Sequence, residues 1–148
     1  LGDAAKGWFA MWLATRFGAD QTGAAIAGMA AFFGHVFPVF LRFKGGKGVA
    51  TACGVLLGLS GWLGLITAAT WLLTAFVTRY SSLAALVAAV AAPIAAWGLH
   101  LPQDIVLMVA GMAALLILRH RENIQRLLSG QESRIGSGKK AKAEATEA

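Results

Sequence analysis

Charge is what this sequence has least of. Only 14% of its 148 residues are Asp, Glu, Lys or Arg, where a soluble domain carries about 25%. From Gly48 through Leu118 the formal charges are Arg79 and Asp104 alone. That scarcity, with 57% hydrophobic residues, excludes an ordinary soluble domain and leaves a polytopic membrane bundle. Cysteine is nearly absent too. The single Cys53 rules out an intrachain disulfide and a cysteine-based zinc cluster, and at a helix start between Ala52 and Gly54 it reads as a small packing residue. No carboxylates or histidines cluster with metal-ligand spacing, so no metal and no cofactor is expected. No Ser/His/Asp arrangement offers a nucleophile with its base. The net charge of +6 lies between apolar runs rather than on a basic face interleaved with aromatics, which argues for topology and against nucleic acid. A basic n-region with a small-residue cleavage site is also missing, so no signal peptide is read.

What charge there is gathers in one place. Arg42 to Gly48 holds Arg42, Lys44 and Lys47 with Gly45, Gly46 and Gly48. Glycines let a backbone approach a ligand and present its N–H groups. A helix beginning near Gly48 would add the positive end of its dipole. The combination suits a phosphate, though a solvated basic loop between two membrane helices accounts for it equally well. It is not a nucleotide P-loop: five residues before Gly46 stands Leu41, and Gly48 follows Lys47.

Hydropathy and breakers divide the chain into six apolar segments: 1–17, 21–37, 49–59, 62–78, 83–99 and 105–118. Pro38 ends or kinks the second, and Pro93 interrupts the fifth. Ser60-Gly61, Arg79 to Ser82 and His100 to Asp104 read as loops. The spacing of Phe37, Phe40 and Phe43 predicts an interfacial aromatic stretch leading into the glycine loop. Alternating sides put Arg42, Lys44, Lys47, Arg79, Arg119, Arg121 and Arg126 together, which assigns that side to the cytoplasm. Asp3 and Lys6 share one face of the first turn. After the sixth segment, RHRENIQRLLSGQE (119–132) places His120, Asn123 and Leu127 on one helical face and Arg119, Glu122 and Arg126 on a neighbouring one. A juxtamembrane helix whose arginines meet lipid phosphates would look the same. Residues 133–148 form a low-complexity tail expected to be disordered.

GHVFPVFLRFKGGKGVAT and RHRENIQRLLSGQE resemble, in order, the second and third signature motifs of the bacterial acyl-phosphate:glycerol-3-phosphate acyltransferases, the PlsY family, and GDAAKG resembles the start of that family's second helix. The resemblance implies an all-α transmembrane bundle over 1–132, six spans here of the family's seven, in the bacterial inner membrane with its motifs facing the cytoplasm. It implies transfer of an acyl group from acyl phosphate to glycerol 3-phosphate, giving lysophosphatidate for phospholipid biosynthesis. The family's first motif and first helix have no counterpart, so the chain is expected to be truncated at its N-terminus and its active site incomplete.

A mixed anhydride is already activated, so a hydroxyl can attack it without an acyl-enzyme. The reaction then needs a positive cradle and positioned donors. On that reading Lys44, Gly45, Gly46, Lys47 and Gly48 hold phosphate and Lys6 adds charge. His35 and Thr51, within the second motif, are further binding candidates. His120 and Asn123 are the catalytic candidates, as orienting donors with His120 available for proton transfer, and Glu132 pairs with a cation to hold the third motif. The alternatives are a small-solute transporter and a non-catalytic lipid-binding module. Charges crowded at one surface, with no internal repeat, disfavour the first.

Overall fold

The computed structural model describes residues 2–38 and 45–136, and these form seven helices. They are α1 (Gly2–Arg16), α2 (Gln21–Val36), α3 (Val49–Leu59), α4 (Gly61–Thr78), α5 (Ser81–Gly98), α6 (Gln103–Arg119) and α7 (Arg121–Leu128). The fold is all-α, as expected. The first six occupy the six apolar segments, and the amphipathic stretch forms the seventh. By length and composition α4 and α5 can each cross a membrane, and α6 with α7 makes a third candidate bent by 59°. α3 has 11 residues, about 16 Å at 1.5 Å per residue, roughly half a hydrocarbon core.

The ends have local causes. Asp20 caps α2 by accepting from the Gly23 N–H at 2.8 Å, and the Ser60 hydroxyl accepts from Leu63 at 3.4 Å to cap α4. Gly61, Ser81, Ser82, Gln103 and Asp104, read as loop from sequence, belong to helix starts. The three helices directly follow a residue in extended or polyproline backbone, Ser60, Tyr80 or Pro102, so they begin immediately and the turns are shorter than expected. Pro93 does not interrupt α5, which runs unbroken from Ser81 to Gly98. A proline removes one backbone donor, and a helix packed along its length against α4 and α6 tolerates that loss.

The core is built largely of small residues. Along α5 Ala85, Ala89, Ala92 and Ala96 are buried, and α6 answers with Ile105, Val109, Met112 and Leu116. Small residues bring helices close: a Cβ on Gly54 would collide with the backbone carbonyl of Ala4, so α1 and α3 touch main chain to main chain. The outside is apolar as well. Leu72, Leu73, Phe76 and Val77 on α4 are 62–86% exposed, a belt suited to lipid.

One end of this bundle collects the loops that matter. The α2–α3 loop, the α4–α5 turn, the α6–α7 joint and residues 131–136 meet there. Asp104, which accepts from the Thr22 hydroxyl at 2.8 Å, lies at the start of α6, the other end.

Candidate functional site

The α6–α7 joint is His120. Its backbone N–H still bonds to Leu116 and Ile117, but its φ of −98° and ψ of 9° take it out of the helix and start α7 in a new direction. The ring is 2% exposed, and its Nδ1 lies 2.8 Å from the Leu116 carbonyl oxygen. A carbonyl only accepts, so Nδ1 carries a proton, and the neutral ring presents Nε2 as an acceptor. Burial lowers the His120 pKa below the ordinary value, and the positive charge of Lys47 adds to that against the opposing pull of Leu116 and Glu132.

One turn on, Asn123 is 4% exposed. Its Nδ2 donates to Glu132 Oε1 at 2.6 Å, and Arg126 Nε donates to Glu132 Oε2 at 2.7 Å. The carboxylate fixes the Asn123 amide orientation, because Oδ1 could not donate to it. Oδ1 is then left buried without a partner. The Glu132 side chain is 7% exposed. Burial alone would raise its pKa, but Ser82, Asn123 and Arg126 outweigh that and hold it at about 2. Ser82 Oγ forms no strict hydrogen bond, so its share is the pull of a nearby dipole.

Glu132 is delivered by a strap. Ile135 N–H donates to the Arg79 carbonyl at 2.7 Å, Arg79 returns a bond to the Ile135 carbonyl at 2.9 Å, and Arg134 Nε donates to the Tyr80 hydroxyl at 3.0 Å. Residues 133–136, assigned to the tail from sequence, are thus docked on the α4–α5 turn. The rest of the tail lies outside the described residues.

The glycine loop approaches from the other side. Gly48 sits at φ 81° as the N-cap of α3, a left-handed conformation that favours glycine. Arg119 donates to the Gly45 carbonyl at 3.1 Å and lies 5.7 Å from the Phe37 ring centroid, pinning the loop to the end of α6. The glycines face protein. A Cβ on Gly46 would strike His35 Nε2, one on Gly45 the carbonyls of His35 and Val36, and one on Gly48 the Phe32 ring at 2.5 Å. Close packing on α2 requires small residues here before any ligand does. Lys44 and Arg42 lie outside the described residues, as do Phe40 and Phe43.

Lys47, His120, Asn123 and Glu132 line one cavity of about 740 Å³. Its body runs into the bundle between α3, α4, α5 and α6, past Cys53, Leu56, Trp71, Ala85, Ala89 and Met112. A polar mouth opens on an apolar chamber within the size range of small-molecule sites.

The other candidates lie elsewhere. Lys6 Nζ donates to His35 Nδ1 at 2.6 Å and to Asp3 Oδ1 at 2.8 Å, a cluster that backs the loop through Gly46 and does not line the cavity. Thr51 is fully buried with its hydroxyl unpartnered, beneath Gly7 of α1, and also does not line the cavity. Sequence reasoning missed Arg119, Arg79, Tyr80 and Ser82. Arg119 and Arg79 were visible as cations of the basic side, and Tyr80 and Ser82 as part of a polar loop, with no role in the site.

Residues 1–130 match the family described as glycerol-3-phosphate acyltransferase. A glycerol-3-phosphate acyltransferase of Paraburkholderia phymatum is 57% identical over 99% of this chain and 71% of its own length. One of Ralstonia pickettii is 61% identical over 95% of this chain and 70% of its own length. Among solved structures, the glycerol 3-phosphate form of PlsY, an integral membrane glycerol 3-phosphate acyltransferase, superposes with a TM-score of 0.85 at 40% identity, covering 93% of this chain and 69% of that one. Its lysophosphatidic acid form gives 0.83. The chain thus spans about 70% of the length of these relatives.

Proposed function

The chain belongs to the glycerol-3-phosphate acyltransferase family, membrane enzymes of phospholipid synthesis, and from that premise we propose that its donor is an acyl phosphate and that the cavity seats both substrates. The observation that carries this reading is the continuity of the cavity: Lys47, His120, Asn123 and Glu132 stand at one end and an alanine-lined apolar chamber at the other. The acyl chain lies in the chamber. Lys47 and the nearby loop backbone hold phosphate. Glycerol 3-phosphate, the ligand of the related crystal structure, enters at the polar end.

Hydrogen-bond accounting refines the two catalytic candidates. Sequence alone casts both as donors. With Nδ1–H given to Leu116 and one of the two Asn123 N–H groups given to Glu132, the groups left over are two acceptors, His120 Nε2 and Asn123 Oδ1, and the second Asn123 N–H. Two acceptors suit the hydroxyls of glycerol. The hydroxyl oxygen attacks the acyl carbonyl, a C–O ester bond forms, and the C–O bond to phosphate breaks. The proton passes to Nε2 and then to the departing phosphate, whose charge Lys47 offsets. Glu132 holds Asn123 in place and does not react.

The same end of the bundle carries the α2–α3 and α4–α5 connections and α7. Its excess of Lys and Arg orients it to the cytoplasm of the inner membrane, where glycerol 3-phosphate is available. The test uses the full-length protein in detergent or vesicles, with glycerol 3-phosphate and either an acyl phosphate or an acyl thioester. Lysophosphatidate from the acyl phosphate alone is expected. Formation from the thioester alone would overturn the donor assignment.

A further inference from the structure

The cavity has a floor, and we propose that this floor sets the longest acyl chain the protein accepts, with Ala92 of α5 and Val109 of α6 as the residues that fix it. The inference rests on the reading of the chamber as the acyl site. The lining ends on four helices at one depth: at Leu56 of α3, Thr67 of α4, Ala92 and Val109. One turn further in, the same helices contribute Leu59, Leu63, Ala96 and Ile105, which are buried in the core and do not line the cavity. Leu63, Ala96 and Ile105 have no exposed surface at all. The Thr67 hydroxyl donates its proton to the Leu63 carbonyl at 2.8 Å, so the floor has no O–H left to offer a chain end.

Depth follows from helix geometry. Ser82 at the mouth and Ala92 at the floor are ten residues apart on α5, about 15 Å at 1.5 Å per residue. A linear chain held at its polar end gains roughly fourfold in affinity for each methylene buried. The gain stops when the chain end meets Ala92 and Val109, because the packing below has no room to give. Ala92 is the decisive position. It lines the cavity with only a methyl group and is 3% exposed, so a larger side chain there takes up depth at the floor that a chain end would otherwise fill. A phenyl ring would fill about one helical turn, roughly 5 Å of the depth.

The experiment is a donor series: kcat/KM for saturated acyl phosphates of graded length, in the full-length protein. Activity should rise with length and then break. Ala92→Phe and Val109→Phe should each move the break to shorter donors, raising the ratio of short-chain to long-chain kcat/KM by at least about tenfold. Ala92→Leu should fall between, and serves if a phenylalanine variant does not fold. Leu73→Phe, on the lipid-facing side of α4, should leave the break where it is. An equal loss at every length, or an unmoved break in a folded variant, would overturn the proposal. Failure of the wild type to use any acyl phosphate would instead defeat the donor assignment. Melting shifts caused by lysophosphatidates of graded length then give the same test of the floor without a donor.

Discussion

Glu132→Gln is a near-isosteric change with a large expected effect. The glutamine keeps one oxygen and replaces the other with an NH2 group. In the native arrangement both carboxylate oxygens accept, from Asn123 Nδ2 at 2.6 Å and from Arg126 Nε at 2.7 Å. With its oxygen toward Arg126, the glutamine turns its NH2 toward Asn123, donor against donor. The Asn123 amide relieves this by flipping, so that Oδ1 accepts from Gln and Nδ2 faces the cavity. The acceptor offered to substrate becomes a donor. A carboxyl held at about 2 instead of 4.5 corresponds to a preference on the order of 3 kcal/mol for the charged state. Arg126 is 41% exposed, so solvent screens part of it, and about 2 kcal/mol of stability should be lost. The kinetic loss should be about 10²-fold in kcat, the scale for misplacing a group that orients the reacting hydroxyl. Adding Asn123→Asp to Glu132→Gln restores an oxygen facing the cavity and a complementary pair beneath it. The double variant should therefore recover at least about tenfold over Glu132→Gln, a coupling no independent pair would show. The assay is lysophosphatidate formation by purified protein, with melting recorded in the same detergent. Wild-type kcat in Glu132→Gln, or a double variant no better than the worse single change, would refute the reasoning.

Four further outcomes follow. Burial keeps His120 neutral with its pKa below the ordinary 6.5; an unfolded chain takes up that proton first, so its contribution to stability is complete above 6.5 and declines as pH falls toward the lowered value. Activity should carry an acid limb below 6.5, and His120→Gln should abolish that limb along with most of kcat. Glu132 works in the same direction at lower pH: its contribution is present above 4.5 and lost between about 4.5 and about 2, so the melting temperatures of wild type and Glu132→Gln should converge across that window. Lys47→Ala should raise KM for a phosphate-bearing substrate about tenfold or more with little change in melting temperature, because Lys47 is exposed at the cavity mouth. Gly46→Leu should lower the melting temperature as well as activity, since the added side chain meets His35; a stable, inactive Gly46→Leu protein would return the glycines to a ligand-contact role.

The helices were legible because apolar runs broken by Ser60, Arg79 and Pro102 leave little choice of boundary. The bend at His120 was not: helical spacing continues through 119–126, and only the buried bond of its ring to Leu116 and the docking of α7 near α5 show why the axis turns. Lys47, His120, Asn123 and Glu132 could be picked out by residue type. Their meeting depends on Arg119 gripping Gly45 across 74 positions, which no local pattern encodes. The glycine loop shows a second limit. Its composition pointed to close approach, but the partner is α2. Small residues carry the same ambiguity. Ala24 and Ala25 fill the packed core of α2, whereas Ala85, Ala88 and Ala89 leave a chamber beside α5, and sequence does not separate these uses.

The central claim is that one chamber between α3, α4, α5 and α6 receives the acyl chain of a donor whose phosphate sits by Lys47. A non-hydrolysable acyl phosphonate carrying a photoreactive group near its chain end tests it directly. Irradiation and peptide mapping should place the label on cavity-lining residues such as Leu56, Ala88 and Met112, with protection by excess unlabelled phosphonate. Labelling confined to the lipid-facing Leu73, Phe76 and Val77 would contradict it.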